Sequence, residues 1–166
     1  MSINIVITKS IHIVLGYIRC QTHNGFFLFT KVFEDDFVAI YREDHPLSKI
    51  DNPSLNDILS QQHLHVSSRR TGLHLIDVEL DKIGHRRNVA LRCQHFLIAP
   101  TIIKSTDLVM FATRSFAKAH NLPFVEIPAE IPSMEYFLIW HKSDEGDGGH
   151  IWMKELIINA FVDAKK

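Results

Sequence analysis

Apolar and polar residues alternate along the chain with two different periods, which predicts strands and helices in turn. Short β-branched or alternating runs are typical of strands and occupy residues 11–15, 26–32, 37–41, 63–67, 88–95, 108–112, 122–127 and 134–141. Helical spacing is clearest over residues 73–83, where four apolar side chains share one face and Gly84 follows as a left-handed stop. The alternation of strands and helices predicts an α/β fold with mainly parallel sheets.

Local capping patterns place the remaining helices. Ser54 and Asp57 have the spacing of a capping box, which predicts a brief helix after them. Pro100 suits the first turn of another helix, and Thr113 can cap a third. The last helix follows the turn at 143–149, and its apolar face is made of Trp152, Leu156, Ile157, Ala160 and Phe161.

Length and composition narrow the class of protein. A chain of 166 residues fits one domain, or one domain with an appendage, and 46% hydrophobic residues exclude a disordered composition. The 18 basic and 19 acidic residues give a net charge of −1, which argues against a dominant nucleic-acid footprint. No apolar run approaches the ~20 residues that span a bilayer, and no basic segment precedes the apolar start. We therefore expect a soluble, cytoplasmic protein.

Eleven histidines raise the question of a metal site. His63 and His65 are two apart on a predicted strand, so their side chains face the same way, and Cys93 and His95 share that spacing. Zinc needs three or four ligands at about 2.0–2.3 Å, and the sequence contains no HExxH or CxxC motif. We expect no metal and no other cofactor, and a metal-dependent hydrolase using His63, His65 and His95 is the weaker alternative.

Motifs for catalysis are missing as well. The sequence has no G-x-S-x-G elbow, P-loop or G-x-G-x-x-G. Cys93 lies within a predicted strand rather than at a helix N-terminus, where a thiolate is stabilised. Three charged pairs are interpreted as solvated surface: Arg69 with Arg70, Arg86 with Arg87, and Asp77 with Asp81. The sequence therefore predicts a protein that is not an enzyme.

Three predicted strand-to-helix junctions combine hydroxyl groups with apolar side chains, at residues 66–68, 96–101 and 112–113. In an open parallel sheet, the loops at the carboxyl ends of the strands line a ligand crevice, and helix N-termini there offer free N–H groups. Such junctions suit a small, partly aromatic anion. The alternative is that Ser67, Thr101 and Thr113 simply cap helices, and spacing alone does not separate the two hypotheses.

Six segments from about residue 11 onward are informative through their order and spacing: IHIVLGYI (11–18), KVFEDDFVAIYREDHPL (31–47), PSLNDILSQQHLHVS (53–67), VELDKIGHRRNVALRCQHFLIAP (78–100), STDLVMFATRSFA (105–117) and FLIWHKSDEGDGGHIWMKELI (137–157). Together they resemble the effector-binding domain of LysR-type transcriptional regulators. The chain departs from the family at His12, where the family has Asp, and at the β-like INIVI, where the family has the end of a helix.

The resemblance implies an α/β fold like that of type II periplasmic binding proteins. Residues 37–124 would form a complete second lobe, and residues 1–36 with 125–166 part of the first. The helix-turn-helix of the family has no counterpart in this sequence, so no DNA contact by the chain itself is expected. A stand-alone solute-binding protein is the other alternative function, although the expected export signal is missing.

The function implied by the resemblance is effector sensing. A small aromatic or carboxylate inducer would be held between the lobes, with the anion at helix N-termini and Phe96 against apolar atoms. The implied effector-binding residues are Gly16, Tyr17, Ser67, Ser68, Phe96, Ile98, Pro100, Thr101 and Thr113. A homodimer is also expected, because a partial first lobe would leave strand 11–15 with an unpaired edge and the last helix with an uncovered apolar face.

Overall fold

The structure is a computed structural model that describes residues 3–7, 11–16, 25–67 and 74–163, with side chains over 25–67 and 74–161. The strands are β1 (Ile3–Ile7), β2 (Ile11–Gly16), β3 (Phe27–Asp35), β4 (Phe37–Ile40), β5 (Gln62–Val66), β6 (Asn88–Cys93), β7 (Met110–Thr113), β8 (Phe124–Glu126) and β9 (Met134–His141). The helices are α1 (Leu55–Leu59), α2 (Leu75–Lys82), α3 (Ala99–Ser105), α4 (Arg114–Ala119) and α5 (Gly148–Asp163). Single 3-10 turns occupy Pro46–Lys49, Phe96–Ile98 and Lys142–Asp144.

The contacts divide the chain into two compact units. Unit 1 comprises Met1–Glu34 and Met134–Lys166, and unit 2 comprises Asp35–Ser133. Strand β8 pairs with β4, which places it in unit 2 rather than in the segment 125–166 of the lobe division made from the sequence. That division into lobes stays a prediction.

Unit 1 contains a four-stranded sheet in the order β1-β2-β9-β3. Strand β2 pairs antiparallel with β1 on one edge and with β9 on the other. The expectation of mainly parallel sheets is therefore wrong in this unit, and so is the unpaired edge at residues 11–15. The link between β1 and β2 is too short for the crossover of a dozen or more residues that parallel strands require. The β-like INIVI does form a strand, as its composition indicates.

Helix α5 is apolar on more than one side. His150 is buried, and Phe161 packs against Phe33 with 5.9 Å between ring centroids. On the face predicted to be apolar, Trp152 is 59% exposed and Leu156 is 50% exposed. The helix thus leaves apolar side chains in contact with solvent.

Unit 2 mixes parallel and antiparallel pairing around one core. Strands β5 and β6 are parallel, and an isolated parallel bridge joins His63 of β5 to Val109 beside β7. Strand β4 is antiparallel to both β7 and β8, so the parallel prediction holds for only part of this unit. The apolar core consists mainly of Val38, Ile40, Leu64, Val66, Ala99, Ile103, Leu108, Met110, Ala112, Ala117 and Leu122.

The predicted ends of several helices are confirmed. Ser54 and Asp57 form a capping box at the start of α1. Gly84 follows α2 with a φ of +75°, a left-handed conformation that favours glycine. Thr113 occupies the N-cap of α4 but makes no hydrogen bond through its side chain. The carboxylate of Asp35 accepts hydrogen bonds there instead, from the backbone N–H (3.2 Å) and the hydroxyl of Ser115.

Candidate functional site

The carboxyl ends of three strands lie at the same end of the sheet in unit 2. The parallel register aligns Val66, which ends β5, with Cys93, which ends β6. Strand β7 runs in the same direction, as the parallel bridge between β5 and Val109 shows. Six of the nine predicted effector-binding residues lie at the ends of these strands or in the segments that follow them. They are Ser67, Phe96, Ile98, Pro100, Thr101 and Thr113.

Ser67 and Phe96 are fixed by contacts to neighbouring elements. The N–H of Ser67 donates a hydrogen bond of 3.0 Å to the carbonyl of Cys93, which ties the end of β5 to the end of β6. Phe96 is half-buried against the core, with its ring centroid 6.0 Å from that of Phe116. Both residues are therefore held by the sheet and its helices rather than by free loops.

The segment from Ile98 to Thr101 joins a 3-10 turn to α3. Ile98 is 46% exposed, Pro100 is buried, and Thr101 is exposed in the first turn of the helix. Pro100 fits there because the first helical N–H groups need no intrahelical acceptor. An apolar side chain and a hydroxyl group thus stand in solvent at the start of α3.

Over the described helices, none of the three hydroxyl residues acts as a cap through its side chain. The N-cap of α2 is His74, and that of α3 is Ile98, so neither Ser67 nor Thr101 occupies a cap position. Thr113 occupies one without a hydrogen bond from its side chain.

Of the three remaining predicted residues, the structure describes one. Gly16 ends β2 in unit 1, where it pairs with Phe137 of β9. Tyr17 and Ser68 lie outside the described residues. Arg69 and Arg70, which the sequence places in solvent, lie outside them too.

A buried charged cluster next to this end of the sheet was missed by the sequence interpretation. Arg87 is only 3% exposed, and its guanidinium donates to both carboxylate oxygens of Asp77, at 2.6 and 3.0 Å. The same group donates to Nδ1 of His65, at 2.9 Å. The interpretation of Arg87 and Asp77 as solvated surface is therefore wrong, whereas Arg86, 86% exposed and paired with Asp81, does lie in solvent.

The cluster clamps the start of α2. The Asp77 carboxylate accepts a hydrogen bond from the backbone N–H of His74, and Nδ1 of His74 accepts one from the N–H of Ile76. Burial opposes the charge on Asp77, but the hydrogen bonds and the positive charge of Arg87 outweigh it and lower the pKa of this carboxyl well below its usual range. The capping-box spacing from His74 to Asp77 is the sequence signal that could have located it.

Two histidines near the cluster are held neutral. Burial, reinforced by the positive charge of Arg87, lowers the pKa of both His63 and His74 from 6.5 to about 4. Nε2 of His63 lies 3.1 Å from the carbonyl of Ile58, so this nitrogen is the donor in the neutral ring.

The alternative metal centre is not assembled. His63 and His65 are buried on one face of β5, whereas His95 is exposed beyond the end of β6. Over the part of the chain that the structure describes, no three His, Cys, Asp or Glu residues could together hold a metal ion. Burial raises the pKa of the Cys93 thiol, which disfavours the nucleophilic thiolate form.

Comparison with known proteins decides which family the chain represents. Residues 3–161 match the LysR substrate binding domain. The chain belongs to this family. The activator NagR from a Ralstonia species is 29% identical to this LysR substrate-binding domain in an alignment of 160 residues that covers 93% of this chain and 52% of the relative. The chain thus spans about half the length of that regulator.

Solved structures agree on the fold of this LysR domain. A probable transcriptional regulator from Pseudomonas aeruginosa matches 86% of this chain and 48% of its own, with 28% identity and a TM-score of 0.74. The effector binding domain of QuiR, in complex with shikimate, matches 91% of this chain and 72% of its own. Its TM-score is 0.70 at 16% identity, which shows the fold alone. The predicted type II periplasmic-binding-protein-like α/β fold is confirmed.

The family is a regulatory domain of transcription factors rather than a family of enzymes. Among the described residues of this LysR domain, no helix is long and apolar enough to cross a membrane.

Proposed function

We propose that this chain is the effector-sensing part of a LysR-type transcriptional regulator and that it binds a small aromatic or carboxylate effector. The observation that carries the proposal is the family match over residues 3–161. Within unit 2, the described residues of the predicted site lie where three parallel strands end, at the same end of the sheet. Binding would shift a population between conformations and so alter the activity of the whole regulator.

The exposed groups at this end of the sheet suit such an effector. The hydroxyl of Thr101 offers a hydrogen bond to a carboxylate, and Ile98 and Phe96 offer apolar surface to an aromatic ring. QuiR, a structural neighbour, binds shikimate, which is a carboxylate. Gly16, Tyr17 and Ser68 enter the proposal through the family resemblance.

Titration with benzoate and shikimate tests the site. We expect one of these carboxylates to raise the melting temperature of the chain, and Thr101→Val to weaken its binding about fivefold to tenfold through loss of one hydrogen bond to a charged group. Ile98→Ala should weaken benzoate more than shikimate, because only benzoate presents a flat aromatic ring. Thr30→Val, on β3 of unit 1, is the matched control and should change neither affinity.

The result that would contradict the site is equally specific. If neither carboxylate shifts the melting temperature at millimolar concentrations, the proposed class of effector is wrong. Equal affinities for the Thr101→Val and Thr30→Val variants would place the bound carboxylate elsewhere.

The proposed partners and compartment follow from the same assignment. We propose a cytoplasmic homodimer that associates through the exposed apolar face of α5, where Trp152 and Leu156 stand in solvent. DNA would be contacted by other parts of the regulator, since a net charge of −1 gives this chain no basic excess. A monomer by light scattering at micromolar concentration would contradict the dimer.

A further inference from the structure

A groove of about 530 Å³ lies in unit 2, lined by the end of β4, the segment before α1, and β8. Its walls include the apolar side chains of Ile50, Phe124 and Pro128. This volume falls in the range of sites that take small organic molecules, about 300–1,000 Å³. None of the residues implied in effector binding lines it.

The groove is at the opposite end of the sheet from the proposed effector site. Strands β4 and β7 are antiparallel, with Phe37 opposite Thr113 and Ile40 opposite Met110. Tyr41, which follows β4, is therefore next to the start of β7, whereas Thr113 of the proposed effector site stands at the end of β7. The two sites are separated by the length of these strands.

Tyr41 lines this groove, and its hydroxyl has no hydrogen-bond partner among the described residues. The residue as a whole is only 5% exposed, and burial raises the pKa of this phenol. The hydroxyl is open to the groove and offers a ligand a hydrogen-bond donor and acceptor that no described residue uses.

The charges on the groove select for a cation. Its lining contains two carboxylates and no lysine, arginine or histidine. Glu126 is neutralised by Arg114, which donates to both of its oxygens at 2.6 and 2.8 Å. Asp51 is exposed and forms no ion pair over the described ranges, so its charge is available to a ligand.

We propose that this groove is a second ligand site, which takes a small organic ammonium ion with an aromatic or aliphatic body. The ammonium group pairs with Asp51, a polar atom of the ligand meets the Tyr41 hydroxyl, and the body lies against Phe124, Ile50 and Pro128. The preferred charge is thus opposite to that of the carboxylate effector proposed for the other end of the sheet.

Three probes of the same shape and different charge test this assignment. We expect 2-phenylethylamine, a cation at pH 7, to bind at least tenfold more tightly than phenylacetate or 2-phenylethanol in calorimetric titrations. Asp51→Asn should weaken the amine about tenfold, the loss of one charge-assisted contact, and Tyr41→Phe about threefold. Asp44→Asn is the matched control, because it removes an exposed carboxylate that does not line the groove. This variant should bind the amine as tightly as the unaltered chain does.

The position of the bound amine is checked by NMR, with circular dichroism confirming that each variant is folded. We expect 2-phenylethylamine to move the amide resonances of Asn52 and Val125 and to leave that of Thr101 in place. Equal affinity for the amine and the acid, no effect of Asp51→Asn, or amide shifts at Thr101 instead would each overturn the second site.

Discussion

The two units differ in how far their apolar side chains are buried. In unit 2, the apolar residues of strands β4, β5 and β7 are buried. In unit 1, over the side chains that the structure describes, Leu138 and His150 are the buried residues, while Phe26, Phe27, Phe29, Trp152 and Leu156 are largely exposed. Unit 2 thus has a closed core of its own, and unit 1 presents the kind of apolar surface that binds another surface.

The largest expected effect separates the two units directly. Leu64→Ala in unit 2 should lower the free energy of unfolding by about 3–4 kcal/mol, because Leu64 is fully buried and its removal leaves a cavity. Leu156→Ala in unit 1, at a residue that is half exposed, should cost less than ~1 kcal/mol. Urea unfolding of both variants measures the difference. A similar loss for both would mean that the α5 face is covered and that the contrast between the units fails.

A second pair of variants tests whether the buried ion pair of Arg87 stabilises unit 2 more than the exposed ion pair of Arg86 does. Arg87→Met should destabilise the chain by about 3 kcal/mol, because it leaves the Asp77 carboxylate partly buried without its bidentate partner. Arg86→Met removes the neighbouring arginine from an exposed pair and should change stability by less than ~0.5 kcal/mol. Chemical denaturation of the two variants at pH 7 compares them. Equal and small losses would contradict the clamp at the start of α2.

The smallest of the three effects concerns pH. His63 has its pKa lowered from 6.5 to about 4, so between these values the unfolded chain binds a proton that the folded chain does not. Stability is therefore greatest above pH 6.5 and is lost as the pH falls towards 4, by about 2 kcal/mol between pH 7 and pH 5 from this residue. The lowered pKa of His74 acts in the same direction.

Unfolding titrations from pH 7 to pH 5 measure this slope. His63→Gln should flatten it, since the titrating group is gone, whereas His95→Gln should leave it unchanged because His95 is exposed. An unaltered slope in the His63 variant would show that the loss of stability arises at other groups.

Interactions between residues close in sequence determined the ends of several helices. Ser54 and Asp57 lie three residues apart and satisfy each other's backbone groups whatever surrounds them, so the start of α1 could be predicted. Gly84 ends α2 because its φ is positive, a property of the residue and the turn alone. The order of such segments along the chain was enough to indicate the LysR family and its α/β fold, which the comparisons confirm.

Other features depended on residues far apart in sequence. The hydrogen bond that links β5 to β6 and the antiparallel partners of β4 arise from long-range pairing, which periodicity does not encode. Arg86 and Arg87 are identical neighbours in the sequence, yet only Arg87 meets His65 and Asp77 beneath α2. The groove beside Tyr41 likewise requires β8 to return next to β4. The sequence alone determined where α1 begins and where α2 ends, because capping and backbone preference act over a few residues. Only the tertiary structure decided how far a strand such as β3 extends and which side chains became buried, because both depend on what the rest of the chain brings alongside.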